Sequence, residues 1–261
     1  MATSSVCLSA EELLRYSRQI GPGALSPEGQ RRLKQSAALV TRAGGMGGPA
    51  ALALAMAGVG RIILAHGGQL ISPDLNRQVL GSEAMLGLPR ARHFAESLRA
   101  INRFVEVEAI DHEPDSAEAL DLARRVQVIL SCAPTFEERL RLNEAAIRCG
   151  VPLVDAAQWG MAGTLIVVDP GRSACLRCLY PTDPEFEDMF PVLGAISMAT
   201  GALAALEAIK ILSGCGSPMY GQLVVIDGFH GRASHVALRR DPACACCGAS
   251  AGESRPGTVS S

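Results

Sequence analysis

The sequence predicts an α/β protein: a doubly wound, mostly parallel sheet with N-terminal helices and an antiparallel C-terminal extension. Three observations carry that expectation. Short apolar β-type runs alternate with helical segments from residue 37 to about residue 157, the rhythm of parallel strands joined by crossover helices. The chain is 48% hydrophobic with 27 glycines, which suits strands buried on both faces. A glycine cluster, "TRAGGMGGPA", lies between the first of those strands and the next helix, where an open parallel sheet places a ligand-binding turn.

The elements follow in order. "LSAEELLRYSRQI" opens with Ser9 at a cap position and Glu12 three residues on, a capping box. "SPEGQRRLKQ" has Ser26 as cap and Pro27 in the first turn, where its missing N–H costs nothing. Then "AALVT" reads as a strand, Pro49–Ala57 as a helix, "RIILAH" as a strand and "RARHFAESLRAIN" as a helix. "VEVEAI" is a strand, Asp115 caps a helix to about Arg125, "VQVILSC" is a strand, Phe136–Cys149 a helix and "VPLVDAA" a strand. From "GTLIVVDP" the rhythm changes, and "GQLVVIDG" and "ASHVAL" lie close enough together to predict the antiparallel extension. Val192–Leu206 is apolar but too short to span a bilayer comfortably and runs into Glu207 and Lys210, so it is expected as a buried core helix. Residues 1–248 are expected to form a single domain with an N-terminal helical arm, and the small, polar residues 249–261 a disordered tail.

Lys+Arg 24 against Asp+Glu 26 gives a net charge of −2. No bulk field draws such a chain to nucleic acid or a membrane, and neither is expected as a partner. The N-terminal "MATSSVCLS" has no basic segment and no long apolar run, which predicts a cytoplasmic protein. Nine cysteines in that setting point to metal or redox chemistry rather than a disulfide framework. "CLRC" offers Cys175 and Cys178; "CACCG" offers Cys244 and Cys247, with Gly248 next and Cys246 as a spare. Four thiolates in two such pairs suit a closed, structural zinc site that staples the end of the chain to the segment after the sheet. Chance clustering in an alanine- and cysteine-rich tail is the bland alternative. A redox C-x-x-C normally opens a helix directly after a strand.

Gly44, Gly45, Gly47 and Gly48 would let the backbone approach a phosphate at a helix N-terminus; a plain tight turn is the other reading. "PDLNRQVLG" presents Asn76, Arg77 and Gln78 after the second strand. An arginine there suits a polyphosphate, because its fork makes two parallel charge-assisted bonds.

"RYSRQI", the glycine loop, "AGVG", "NRQ", "GLPRA", "F-x-x-R-x-x-LN", "CLRC-x-YP", "ALEAIK" and the terminal C-x-x-C-G occur in one order. In that order the chain resembles the ThiF/MoeB/HesA family of E1-like activating enzymes over about residues 9–248. It is most similar to the HesA branch in the "GG" after the second strand, the "LNRQ" spacing, Arg90 and the "VLGA" that starts the long apolar helix. The resemblance implies a Rossmann-like fold, homodimers, and MgATP-dependent adenylation of the C-terminal carboxylate of a small ubiquitin-like sulfur carrier. The HesA branch is associated with nitrogen fixation and nitrogenase cofactor assembly. By the same resemblance Arg18 reaches across the dimer to the neighbour's phosphates, and Arg77 binds phosphates. Asn76 and Gln78 shape the site, Arg90 stands in for a phosphate-binding lysine, and the four cysteines hold zinc.

Four residues depart from the family pattern, all at the nucleotide site. Arg42 replaces the first glycine of the loop, His66 and Gly68 stand where acidic residues follow the second strand, and Pro134 replaces an aspartate that helps organise Mg²⁺. A working adenylyltransferase and a catalytically impaired scaffold that binds a partner are therefore both open at this point. An NAD-dependent dehydrogenase on the same sheet fits less well, given the missing acid after the second strand and the cysteine pairs. Cys215 sits in a turn without an obvious base beside it.

Overall fold

The computed structural model describes residues 7–185 and 191–248. The expectation for residues 249–261 lies outside the described residues. The elements in chain order are α1 (Ala10–Arg15), α2 (Pro27–Gln35), β1 (Ala37–Thr41), α3 (Gly47–Ala57), β2 (Arg61–Ala65), α4 (Arg90–Ile101), β3 (Glu106–Ile110), α5 (Ser116–Ala123) and β4 (Val128–Ser131). They continue with α6 (Phe136–Cys149), β5 (Leu153–Trp159), β6 (Ala162–Val168), α7 (Leu176–Leu179), α8 (Gly194–Ser213), β7 (Gln222–Asp227) and β8 (Arg232–Ala237).

The eight strands form one sheet in the order β3-β2-β1-β4-β5-β6-β7-β8. The first five run parallel, and β5 through β8 pair antiparallel. The chain winds outward from β1 to β3, returns to β4 on the other side of β1, and winds outward again. The crevice at that reversal, beyond the carboxyl ends of β1 and β4, is where such sheets bind ligands.

Strand alternation explains why helices cover both faces. Ala38, Val40, Ile62 and Leu64 meet Leu54, Phe94, Leu98 and Ala204 on one face. Their neighbours Leu39, Ile63 and Ala65 meet Leu122, Leu142 and Ala146 on the other. Both sets are fully or almost fully buried, so β1 and β2 read as continuous apolar runs rather than alternating ones.

The caps form as their residue types predict. Ser9 and Glu12 make the reciprocal box on α1, Ser26 accepts from the Gly29 amide at α2, and Asp115 accepts from the amides of Ala117 and Glu118 at α5. That last helix ends at Ala123, short of Arg125, and α3 starts two residues before Pro49. The arm is anchored by buried groups: Asn102 donates to the Tyr16 hydroxyl at 2.9 Å and to the Ala55 carbonyl at 2.6 Å. The apolar segment becomes the 20-residue α8. It is long and apolar enough to cross a membrane, but its Ala204, Ala205 and Ala208 are fully buried, and it packs as a core helix. Its closeness to the loop requires glycine, since a Cβ on Gly201 would stand 2.2 Å from the Met46 carbonyl oxygen.

Candidate functional site

A cavity of about 670 Å³ opens beyond the carboxyl ends of β1, β2 and β4, within the range of about 300–1,000 Å³ common for small-molecule sites. Gly44, Gly45 and Met46 bring the start of α3 to its wall. Of the residues expected there, Gly44, Gly45, Arg77, Gln78 and Arg90 line it together. Gly47 does not; it begins α3, and a Cβ on it would lie 2.5 Å from the Arg42 carbonyl oxygen. Asn76 is exposed and accepts from Arg77 at 2.8 Å instead of facing the cavity. Arg18 lies in the turn after α1, exposed and outside this cavity.

Arg42 makes the turn in the conformation glycine would supply. Its φ is 52°, the one left-handed non-glycine residue among the described residues, at a cost of roughly 1–2 kcal/mol. The side chain accounts for its retention. Nε bonds the Glu138 carboxylate at 2.9 Å and Nη1 meets Glu113 at 2.7 Å. Glu113 in turn accepts from the Gly67 amide at 2.8 Å. Burial raises the Glu138 carboxyl above its ordinary value, against the pull of Arg42.

The other cations are also paired. Asp74, almost fully buried, takes Arg77 at 3.3 Å through one oxygen and Arg90 at 2.5 Å through the other. Arg139 pairs with Asp155 at 2.6 Å, both buried, and Ser131 donates to the same carboxylate at 2.9 Å. Each guanidinium on the cavity wall therefore has a protein carboxylate, and an incoming anion must share or displace it.

His66 follows β2 and is buried in the cavity wall. Burial, then the nearby Arg90, Arg42 and Arg77 guanidiniums, hold its imidazole down to about 3, so the ring is neutral at physiological pH. Its Nε2 lies 3.4 Å from Arg90. Gly68 takes a left-handed φ of 77° and accepts from the Arg90 amide. Pro134 lines the cavity without offering a ligand oxygen from its side chain. Cys132 also lines it, but burial, then Asp155 and Glu138, push its thiol far above the ordinary value, which excludes a ready thiolate. Cys215 lies outside this cavity, where its sulfur accepts from the Ser26 amide at 3.5 Å at the start of α2.

Sequence reading missed the carboxylates. Asp74 is three residues before Arg77, a spacing that could have flagged it. Glu113 and Glu138 lie 71 and 96 residues from Arg42 by their numbers, and no local pattern links them.

The four cysteines gather as spaced pairs should. Cys175, Cys178, Cys244 and Cys247 place their sulfurs within 4.8 Å of one another, with Cys175–Cys244 at 3.8 Å and Cys178–Cys247 at 3.4 Å. That cluster can hold a metal ion: four sulfurs at about 2.3 Å from a tetrahedral centre stand close to those separations. The Asp241 amide approaches Cys178 at 3.4 Å and the Cys246 amide approaches Cys244 at 3.5 Å, which steadies thiolates. Cys246 stays outside the four; Asn143 donates to it at 3.3 Å while accepting from the Leu176 amide at 2.9 Å. The short α7 at the first pair was not anticipated.

A family model described as the ThiF family matches residues 16–246. The chain is 43% identical over 244 residues to Protein HesA of Leptolyngbya boryana, covering 92% of this chain and 87% of that one. It is 38% identical over 247 residues to the Sus scrofa "Adenylyltransferase and sulfurtransferase MOCS3", of which it spans 54%. Among solved structures, E. coli MccB with MccA-N7isoASN superposes with a TM-score of 0.82 at 22% identity, over 90% of this chain and 75% of that one. MccB with ATP superposes at 0.79 and 23% identity, over 90% and 73%. These two likenesses concern the fold.

Proposed function

The chain belongs to the ThiF family, and from that premise we propose that it is an ATP-dependent adenylyltransferase of the E1-like kind. The observation that carries this reading is the convergence of the glycine loop, Arg77 and Arg90 on one cavity at the sheet's reversal point. The substrate is the C-terminal carboxylate of a small ubiquitin-like or sulfur-carrier protein. A carboxylate oxygen attacks the α-phosphorus of ATP, the bond from that phosphorus to the bridging oxygen breaks, and pyrophosphate leaves. No general base is needed, because the nucleophile is already ionised. Arg77 and Arg90 stabilise the charge that develops on the phosphates. To do so they turn part of their hydrogen bonding from Asp74 to the ligand.

On the cavity wall Pro134 supplies no carboxylate and Asp74 is engaged by arginines, as is the neighbouring Glu138, which leaves the exposed Glu185 to meet a magnesium ion there. Magnesium on this reading belongs to the ATP. The cysteine cluster fits zinc, with all four positions filled by thiolates, so its role is structural. A homodimer follows from the family resemblance, and Arg18, exposed and outside its own cavity, is free to serve a neighbour's. A role in nitrogenase cofactor assembly rests on the likeness to HesA proteins alone.

The test is ATP–pyrophosphate exchange by the zinc-loaded protein with a candidate carrier. We expect exchange that falls at least about a hundredfold in Arg77→Ala, the scale of losing one transition-state donor. Exchange at the level of that variant would remove the assignment. A partner-binding scaffold without turnover is the second reading, favoured by the full pairing of Arg42, Arg77 and Arg90 with carboxylates. Carrier binding without exchange would select it.

A further inference from the structure

A fifth sulfur stands against the cysteine cluster. Cys246 lies between Cys244 and Cys247 in the chain but is not one of the four whose sulfurs converge. Asn143, on α6 and only 1% exposed, holds it in place. The Asn143 side-chain N–H donates to Cys246 Sγ at 3.3 Å, while its carbonyl oxygen accepts from the Leu176 amide at 2.9 Å. One buried side chain thus pins Cys246 beside the residue that follows Cys175. The Cys246 and Cys175 thiols meet in hydrogen-bond contact, and the Cys246 amide approaches Cys244 Sγ at 3.5 Å.

The five sulfurs differ in access and in freedom. Cys175, Cys244 and Cys247 are buried, whereas Cys178 and Cys246 are partly exposed. Of those two, only Cys246 keeps a free thiol when the other four hold a metal ion, because a closed tetrahedral site has no fifth position. Cysteine oxidation follows access, and sensor cysteines often stand next to a second cysteine that resolves the oxidised sulfur. Cys246 has both the access and, in Cys175, the neighbour.

We propose that Cys246 is an oxidation site for hydroperoxides, and that Cys175 resolves it into a disulfide that opens the metal site. The inference rests on the four cysteines holding zinc. The peroxide O–O bond breaks as a sulfur–oxygen bond forms on Cys246, which leaves a sulfenic acid and releases water or an alcohol. The Cys175 thiolate then attacks the Cys246 sulfur. A disulfide forms, the sulfur–oxygen bond breaks, and the departing hydroxide takes a proton from solvent to become water. Two electrons pass from the sulfurs to the peroxide. Cys175 is then lost as a ligand, and the remaining thiolates cannot close a four-coordinate site. A dithiol reverses the step.

The test treats the zinc-loaded full chain with hydrogen peroxide and reads released zinc with a metallochromic dye. Peroxide should empty the wild type and leave the ion in Cys246→Ser over the same interval. Peptide mapping of the oxidised wild type should find Cys175 joined to Cys246, and dithiothreitol with added zinc should restore the metal content. Equal release from the two proteins, or disulfides confined to Cys175, Cys178, Cys244 and Cys247, would overturn the inference. So would an oxidised wild type that keeps its zinc. A reduced wild type that takes up no zinc at all would instead overturn the structural-zinc reading beneath it. Should Cys246→Ser not fold, the disulfide mapped in the wild type decides alone.

Discussion

The cysteine cluster and the cavity are each assembled from residues distant in the chain, but on opposite plans. In the cluster, four like groups converge with sulfurs within 4.8 Å, and the Arg240 guanidinium beside them donates to the Cys247 carbonyl. As thiolates, these four sulfurs would need a metal cation to balance them. In the cavity, Arg42, Arg77, Arg90 and Arg139 each have a carboxylate from the protein itself. Its charge is balanced before any ligand arrives. An added cation would therefore complete the first region, whereas an added anion must compete in the second.

Removing a cysteine gives the largest effect. Cys175→Ala should abolish stoichiometric metal binding and cost on the order of several kcal/mol, because the cross-link disappears with the ligand. Cys246→Ala should keep the metal. Metal analysis and thermal melting of both proteins check this, and equal metal content would erase the contrast between the two regions.

The cavity's pairing is broken at Arg42. Arg42→Gly relieves the left-handed strain but strands a buried Glu138 carboxylate, whose loss of partner costs about 3–5 kcal/mol. We expect a net loss of about 2 kcal/mol by urea unfolding. Adding Glu138→Gln should recover most of it. A lone Arg42→Gly more stable than wild type would mean that the pairing does not justify the strain.

The smallest effect sharpens the same point through pH. The His66 imidazole lies near 3 in the folded protein against an ordinary 6.5, so between those values unfolding takes up a proton. Its contribution is fully present above about pH 6.5 and is lost as pH falls toward 3, with a slope of ~1.4 kcal/mol per pH unit. His66→Asn removes this group, and its stability should fall less steeply between pH 6 and 4. Equal slopes would mean that the folded protein protonates the ring.

Much of the fold was legible because it is written in short-range terms. Helix α6 spans Phe136–Cys149 as its periodicity predicts, and Ser9, Ser26 and Asp115 cap where their side chains can reach free amides. The cysteine pairs were legible for the same reason, since each pair fixes two sulfurs within a few residues. Arg42 was legible as an anomaly but not as a solution. Its large side chain argued against a tight turn, and nothing nearby announced Glu113 and Glu138.

The sequence by itself determined the alternation of strands and helices, the glycine loop before α3, the apolar core of α8 and the two cysteine pairs that converge. Those depend on periodicity, capping and spacing within a few turns of chain. Only the tertiary structure decided how charge is balanced at the site. The order β3-β2-β1-β4 brings together the segments after four strands: Glu113 after β3, His66 and Gly67 after β2, Arg42 after β1, and Glu138 beyond β4. Coulombic pairing acts through space, so the partner of Arg42 is set by which strand ends lie side by side and not by which residues are neighbours in sequence.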